Sequence, residues 1–369
     1  MSDAKFRDKR RQRPGSGRRL STRRRGRRHT TSEDRSLALI FPGQGSQYVG
    51  MGRQVAEAHP LAAEVFSRAD EILSFNLSRL CFEGPEEELR RTANAQPALL
   101  TCSLAILRVL EEKGLRPGLL AGHSLGEFAA WVAGGVLDFP TALTLVRKRG
   151  ELMEEAARNR PGGMLAILGV ERGTLKRFVG KVKEGTLAIA NVNCPGQVVV
   201  SGTEPALRRL SELALQEKGA RAIPLRVNGA FHSPLMKESA RLFKKEIDRL
   251  KLSPARPSII CNVSARPVKT VEAIRQAMSE QMTSPVLWEA SIRKMAQSGA
   301  TTFVETGPGE VLSGLVRRTL DSDVHILSSG EPEKLEEVIE ALGKKTDSRE
   351  GEPVQHSQPS IPNPEPRDI

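Results

Sequence analysis

Leu37 to Phe41 is an unbroken apolar run between polar flanks. So short a run without alternation predicts a strand covered on both faces. It ends in Pro42-Gly43-Gln44-Gly45-Ser46-Gln47, a loop rich in turn residues. A second apolar stretch, Leu119-Leu120-Ala121, passes through Gly122 to Gly126 into a helix-like run from Glu127 to Val132. Between Thr141 and Ala157, the apolar positions Ala142, Leu145, Val146, Leu152, Met153 and Ala156 recur at helical spacing and define one face. The pattern then shortens. Met164 to Gly169, Leu187 to Val192, Gln197 to Ser201 and Arg221 to Val227 predict strands, and Arg172 to Val182 and Glu204 to Lys218 predict helices between them. That order, βαββαβ, is ferredoxin-like. Beyond it, Ser233-Pro234 reads as a helix N-cap with proline at the first helical position, and Leu235, Leu242, Phe243, Ile247 and Leu250 share one face of the helix that follows.

A chain of 369 residues with polar ends leaves roughly 300 for one large α/β body carrying an insertion. The expected boundaries are 36–159 and 228–344 for the body and 160–227 for the insertion. Charge is unevenly placed: residues 1–35 hold 14 Lys and Arg against 4 Asp and Glu, so that segment supplies +10 of the chain's net +12. Clusters such as Arg23-Arg24-Arg25 and Arg27-Arg28, with almost no apolar company, cannot build a core and predict a disordered basic arm. Three readings of the arm stand open: a translated stretch without function, a tether to nucleic acid or another polyanion, and a targeting peptide. Pro353, Pro359, Pro362, Pro364 and Pro366 predict a second disordered segment over 345–369. Cys81, Cys102, Cys194 and Cys261 are far apart and form no CxxC pair, which argues against a zinc site or a disulfide framework and fits a reducing cytoplasm. No apolar run is read as long enough for a membrane span, and no secretory apolar core follows the basic segment. No metal site and no membrane association are expected.

The candidate chemistry begins at Gly122-His123-Ser124-Leu125-Gly126. A strand turning sharply into a helix exposes a serine hydroxyl, and flanking glycines let the two elements approach; this is the context of a nucleophile elbow. The pentapeptide alone is common, so its strand-turn-helix setting carries the reading. Ser124 then needs a base. Of six histidines, His29 and His356 fall in the polar ends, His59 precedes Pro60 in a turn, His123 belongs to the elbow and His325 sits in a short apolar stretch. His232 is the candidate, since it precedes an anchored helix; capping a loop is the alternative. The loop after Leu37–Phe41 offers backbone N–H groups for half of an oxyanion hole, or is a simple strand-to-helix turn. Arg149 lies in the middle of an otherwise apolar helix face, where a guanidinium needs an anionic partner: a structural carboxylate or a substrate.

These residues closely resemble one family, the malonyl-CoA:acyl carrier protein transacylases, relatives of the acyltransferase domains of polyketide synthases. The resemblance runs from about Leu37 to Leu320. It rests on FPGQGSQ (Phe41 to Gln47), GHSLGE (Gly122 to Glu127), Arg149-Gly150 with Met153, NVNCPGQVVVSG (Asn191 to Gly202), GAFHSPLM (Gly229 to Met236), QMTSPVLW (Gln281 to Trp288) and ETGPGEVL (Glu305 to Leu312). It implies a hydrolase-like large subdomain with a parallel sheet, an inserted ferredoxin-like subdomain, and a cleft between them. It also implies a ping-pong transfer of malonyl from coenzyme A, through an ester on Ser124, to the phosphopantetheine thiol of acyl carrier protein, with no bound cofactor. In that scheme His232 is the base, oriented by the main-chain carbonyl of Gln281. The N–H groups of Gln44 and Leu125 form the oxyanion hole, and Arg149 pairs with the malonyl carboxylate. Phe231 excludes a branching methyl. Fatty-acid synthesis is the expected pathway, with polyketide synthesis the alternative. An α/β serine esterase would not need Arg149 or the FPGQGSQ loop, and a polyanion-binding protein acting through the arm would leave the internal motifs unexplained.

Overall fold

The computed structural model describes residues 36–320 and 324–347, with 343–347 described by backbone alone. The basic arm lies outside the described residues, and so does the proline-rich tail beyond the last helix, Pro332–Asp347, which runs past the boundary expected at 344. The described strands are β1 (Leu37–Phe41), β2 (Leu119–Gly122), β3 (Gly163–Leu168), β4 (Leu187–Cys194), β5 (Gln197–Gly202), β6 (Arg221–Pro224), β7 (Ser258–Ile260), β8 (Pro267–Val268), β9 (Thr302–Glu305) and β10 (His325–Ser328).

One sheet has the order β10-β9-β1-β2-β7-β8. Its pairings are parallel except at the β8 edge. β1 is buried at all five positions because both faces are covered. Leu37, Leu39 and Phe41 join one apolar core, while Ala38 and Ile40 join another with Trp288, Ile292, Leu312 and Leu315 on the opposite side. This is the alternation a doubly covered strand requires. Phe41 lies level with Gly122 and Ile40 with Glu305, so the loops after β1, β2 and β9 emerge at the same end of the sheet. That carboxyl end is where open α/β sheets hold ligands.

The helix Thr92–Glu112 fills one side of this body and is buried along nearly its whole length. It corrects one reading of the sequence. By length and composition this helix is apolar enough to cross a membrane, yet 94% of its most apolar window is buried inside the fold. An apolar stripe on every side suits a helix surrounded by protein as well as one surrounded by lipid.

After β2 the chain leaves this sheet and returns to it at β7. Between them stands a four-stranded antiparallel sheet, β4-β5-β3-β6, the ferredoxin-like order. Its own core joins Leu165, Ile167, Val198 and Val200 to Leu175 and Leu210 of the covering helices. The predicted strand at Arg221 to Val227 stops at Pro224, and the helix predicted to Lys218 stops at Ala214. A bridge fastens β4 to the segment before the helix Trp288–Gln297: Val286 N donates to Ala190 O at 2.8 Å, and Val192 N to Val286 O at 2.9 Å. The bridge also fixes the stretch that begins at Gln281.

Candidate active site

Ser124 sits between β2 and the helix Gly126–Ala133 with φ 50°, in left-handed backbone rarely adopted by residues with a side chain. The turn is tight because both flanking glycines are pressed against backbone. A Cβ at Gly122 would lie 1.9 Å from the carbonyl carbon of Gly126, and one at Gly126 would lie 2.1 Å from Phe41 O. Asn262, in the loop after β7, clamps the same turn. It accepts from Ser124 N at 2.7 Å and donates its side-chain amide to Gly122 O at 2.6 Å.

His232 approaches from the loop after β6, also in left-handed backbone at φ 57°. Its Nδ1 lies 2.9 Å from Gln281 O and 3.0 Å from Ser284 O. Both are carbonyls and can only accept, so the proton is on Nδ1. Nε2 is therefore the lone-pair nitrogen, and it faces Ser124 Oγ at 2.7 Å. Burial, followed by the charge of Arg149, pushes the imidazole pKa down to about 3, so this ring is neutral at ordinary pH.

Arg149 is 1% exposed on the inner face of the helix Phe139–Asn159. Its guanidinium donates to neutral oxygens among the described residues: Gln96 Oε1 at 2.8 Å, Gln281 Oε1 at 3.0 Å and Ser124 Oγ at 3.3 Å. Its Nε has no partner there. The carboxylate nearest in effect is Glu127, fully buried in the helix after the elbow. Burial lowers the Arg149 pKa to about 10 and raises that of Glu127 to about 7, and the charge of each resists the shift of the other.

The loop after β1 closes the site from a third side. A Cβ at Gly43 would meet His123 O at 2.3 Å, and His123 N donates to Phe41 O at 2.9 Å, so loop and elbow touch backbone to backbone. The backbone N–H groups of Gln44 and Leu125 have no acceptor among the described residues. Phe231 is buried beside His232, and with Gln44, Thr92, Asn228, Arg90 and Arg226 it lines a groove of about 630 Å³. The arrangement therefore joins a hydroxyl, a neutral base, a buried cation and unengaged N–H donors at one sheet end.

The acyl transferase domain family matches residues 38–327. A malonyl CoA-acyl carrier protein transacylase of Bacillus subtilis (strain 168) is 46% identical over 314 residues, which cover 85% of this chain and 99% of that protein. The chain belongs to the malonyl CoA-acyl carrier protein transacylases. The same family supplies solved structures that superpose on it. The transacylase of Clostridium perfringens has a TM-score of 0.81 at 34% identity, covering 86% of this chain and 100% of that one. A malonyl-transacylase in complex with its type II polyketide acyl-carrier protein has a TM-score of 0.80 at 36% identity, covering 83% of this chain and 99% of that one.

Several residues of this transacylase's site are not among those read from the sequence. Asn262 lies in an irregular segment, where neither periodicity nor a motif singles out a side chain; Ser284 lies within QMTSPVLW, where the resemblance points to the carbonyl of Gln281 alone. Gln96 and Glu127 did carry a signal. Each is a polar residue set in an apolar helix, the same anomaly that marks Arg149. His123, read from the sequence only as part of the elbow, has a further contact: its Nε2 lies 3.0 Å from Asn193 Oδ1 on β4, its ring meets Trp288 edge-on, and burial lowers its pKa. Through it the elbow touches the ferredoxin-like sheet.

Proposed function

We propose that this chain transfers the malonyl group from malonyl-CoA to the phosphopantetheine thiol of acyl carrier protein through an ester on Ser124. Ser124 Oγ attacks the thioester carbon as its proton passes to Nε2 of His232, and the carbonyl π pair moves onto oxygen. The N–H groups of Gln44 and Leu125 receive that oxyanion. Collapse breaks the C–S bond, and the His232 proton goes to the departing coenzyme A thiolate. The carrier's thiol then repeats the sequence in reverse on the malonyl ester. Carbonyls of Gln281 and Ser284 orient the ring, so a neutral dyad does what a triad does elsewhere. The acyl group arrives already activated as a thioester, and the steps call for no bound cofactor.

The observation that carries the reading is a buried arginine beside a serine–histidine pair, with Arg149 Nη2 3.3 Å from Ser124 Oγ. A simple esterase has no use for a buried cation beside its nucleophile. A malonyl ester puts a carboxylate near it, and a charge-assisted pair supplies the missing anion. Arg149 thus favours malonyl over acetyl, which would leave the guanidinium unpaired.

Supply of malonyl units to fatty-acid synthesis is the reading preferred here. Service to a polyketide pathway is the second, favoured by the likeness to the malonyl-transacylase solved with its type II polyketide carrier. Protein mixed with malonyl-CoA alone is expected to gain the mass of one malonyl group, mapped to the Ser124 peptide and absent from Ser124→Ala. An adduct on a cysteine, or none under conditions where transfer proceeds, refutes the mechanism. A panel of fatty-acid and polyketide carriers then separates the two pathways.

A further inference from the structure

We propose that Glu127 is a positioning residue for malonyl transfer: its buried carboxylate sets which way the Gln281 side-chain amide points and, through that amide, holds Arg149 toward Ser124. The inference rests on the reading above.

Gln281 sits where three parts of the site meet. Its Nε2 donates to Glu127 Oε2 and, at 2.9 Å, to Ser124 O. Its Oε1 accepts from Arg149 Nη2 at 3.0 Å. A carboxamide has two orientations related by a flip, and its partners must select one. Ser124 O, which only accepts, and Arg149, which only donates, favour the orientation seen, and Glu127 is the one partner of the amide that carries a carboxylate. Around this 0%-exposed carboxylate both hydrogen-bonding neighbours donate: Asn262 N to Oε1 at 2.8 Å and Gln281 Nε2 to Oε2. With an acceptor on that side, Gln281 must turn its NH2 toward Glu127 and its oxygen toward the guanidinium. Gln96 Oε1 holds Nη1 from the other side, so the planar fork is fixed at both ends.

Replacing the carboxylate by its amide isostere breaks this selection. In Glu127→Gln the side chain must turn its NH2 toward Asn262 N or toward Gln281 Nε2, and donor meets donor either way. If Gln281 flips to relieve the clash, its NH2 then confronts Arg149. The guanidinium loses its hold on the side where the malonyl carboxylate binds. A second effect opposes this one, because removing the Glu127 charge leaves more of the Arg149 charge for malonyl. Orientation is expected to prevail, since a planar donor fork recognises a carboxylate only when it is aimed.

The test measures loading of Ser124 from malonyl-CoA and from acetyl-CoA by intact mass at about pH 8.5, above the Glu127 pKa of about 7 so that the carboxylate is ionised, on full-length wild type, Glu127→Gln, Glu127→Asp and Gln281→Met, with thermal melts to establish folding. Glu127→Gln is expected to lower the malonyl specificity constant tenfold or more and the acetyl constant no more than threefold. Glu127→Asp, which keeps the acceptor and the charge, should recover part of the preference. Gln281→Met removes the relaying amide, keeps the main-chain carbonyl that His232 uses, and should lower the malonyl-to-acetyl ratio in the same sense; it decides the matter if Glu127→Gln does not fold. An unchanged or raised ratio in the folded variants, or equal loss with both acyl groups, overturns the proposal. Failure of the wild type to load malonyl on Ser124 would instead refute the underlying mechanism.

Discussion

Ser124 and His232 stand 108 positions apart in the chain and meet at 2.7 Å, each in left-handed backbone. For residues with a Cβ, that conformation costs on the order of 1 kcal/mol or more and persists only where the surroundings over-determine it. The surroundings here are specific. Ser124 is held by Asn262, whose own N–H is tied to Glu127. His232 is held by two carbonyls, and Ser233 caps the next turn by accepting from Leu235 N at 3.3 Å. The strained pair is thus placed by residues drawn from four separate parts of the chain.

The elbow should not tolerate even one added methyl group. In Gly126→Ala the new Cβ would fall 2.1 Å from Phe41 O and 2.7 Å from Phe41 C and Pro42 O. These are backbone atoms of β1 and its loop and cannot rotate away. A loss of about 3 kcal/mol in stability is expected, the upper end for overpacking, together with loss of malonyl loading. A variant that melts with the wild type would show that strand and elbow can separate at no cost.

Acid should destabilise the fold partly through His232. Its folded pKa is lowered to about 3 from the ordinary 6.5. Between those values the unfolded chain binds a proton that the folded chain does not. The contribution is therefore complete above about 6.5 and is lost as pH falls toward 3. Glu127 acts in the opposite sense. Its pKa rises from 4.5 to about 7, so its contribution is present below 4.5 and is lost as pH rises through 7. Comparison with His232→Asn isolates the imidazole: between pH 7 and 5 the wild type should lose about 2 kcal/mol more than the variant. Equal acid slopes in denaturant titrations would contradict a neutral, buried ring.

Which parts of this molecule could be read from its sequence follows from the range of the forces involved. Leu37–Phe41 was legible to the residue because an apolar run between polar flanks is a local signal. Arg149 was legible because helical period alone places it among Leu145, Val146 and Met153. The start of the helix after His232 was legible as well, with Ser233 as the cap and Pro234 in the first helical position; what the sequence leaves open is that this first turn, Pro234–Met236, is 3₁₀ before the α-helix Lys237–Asp248. Asn262 was not legible. It reaches the elbow across 140 positions to Gly122 from a loop after a three-residue strand, a contact set by sheet order alone. The partner of Arg149 was open for the same reason. The chain surrounds it with amide oxygens and keeps Glu127 one step away, an arrangement no periodicity reveals.

Arg149→Ala should separate malonyl from acetyl transfer. A contact between a guanidinium and a carboxylate is worth about 3 kcal/mol, so malonyl loading should fall about a hundredfold or more. Acetyl loading should fall far less or rise, since the charge left unpaired by an acetyl group is gone. Stopped reactions with each thioester, followed by intact mass, give both rates. Equal loss with both acyl groups in a folded variant would assign Arg149 to the architecture instead.

Phe231 should set the limit on branching at the acyl α-carbon. It is 5% exposed and immediately precedes His232, and it shares the lining of the adjoining groove with Gln44. Little slack surrounds the ring: a Cβ at Gly229 would lie 2.6 Å from its Cε1. A methyl group added beside the reacting carbon must displace the ring or be refused. Overpacking of this size costs about 1–3 kcal/mol, which corresponds to a preference for malonyl-CoA over methylmalonyl-CoA of about tenfold or more in specificity constant. Phe231→Ser removes the ring and should narrow the gap by admitting the branched substrate rather than by impairing the unbranched one. Competition between the two thioesters for Ser124, read by the mass of the loaded protein, measures the ratio directly. If the unmodified protein loads both equally, the ring does not bound the acyl pocket, and the selectivity of this site must come from the carboxylate end held by Arg149.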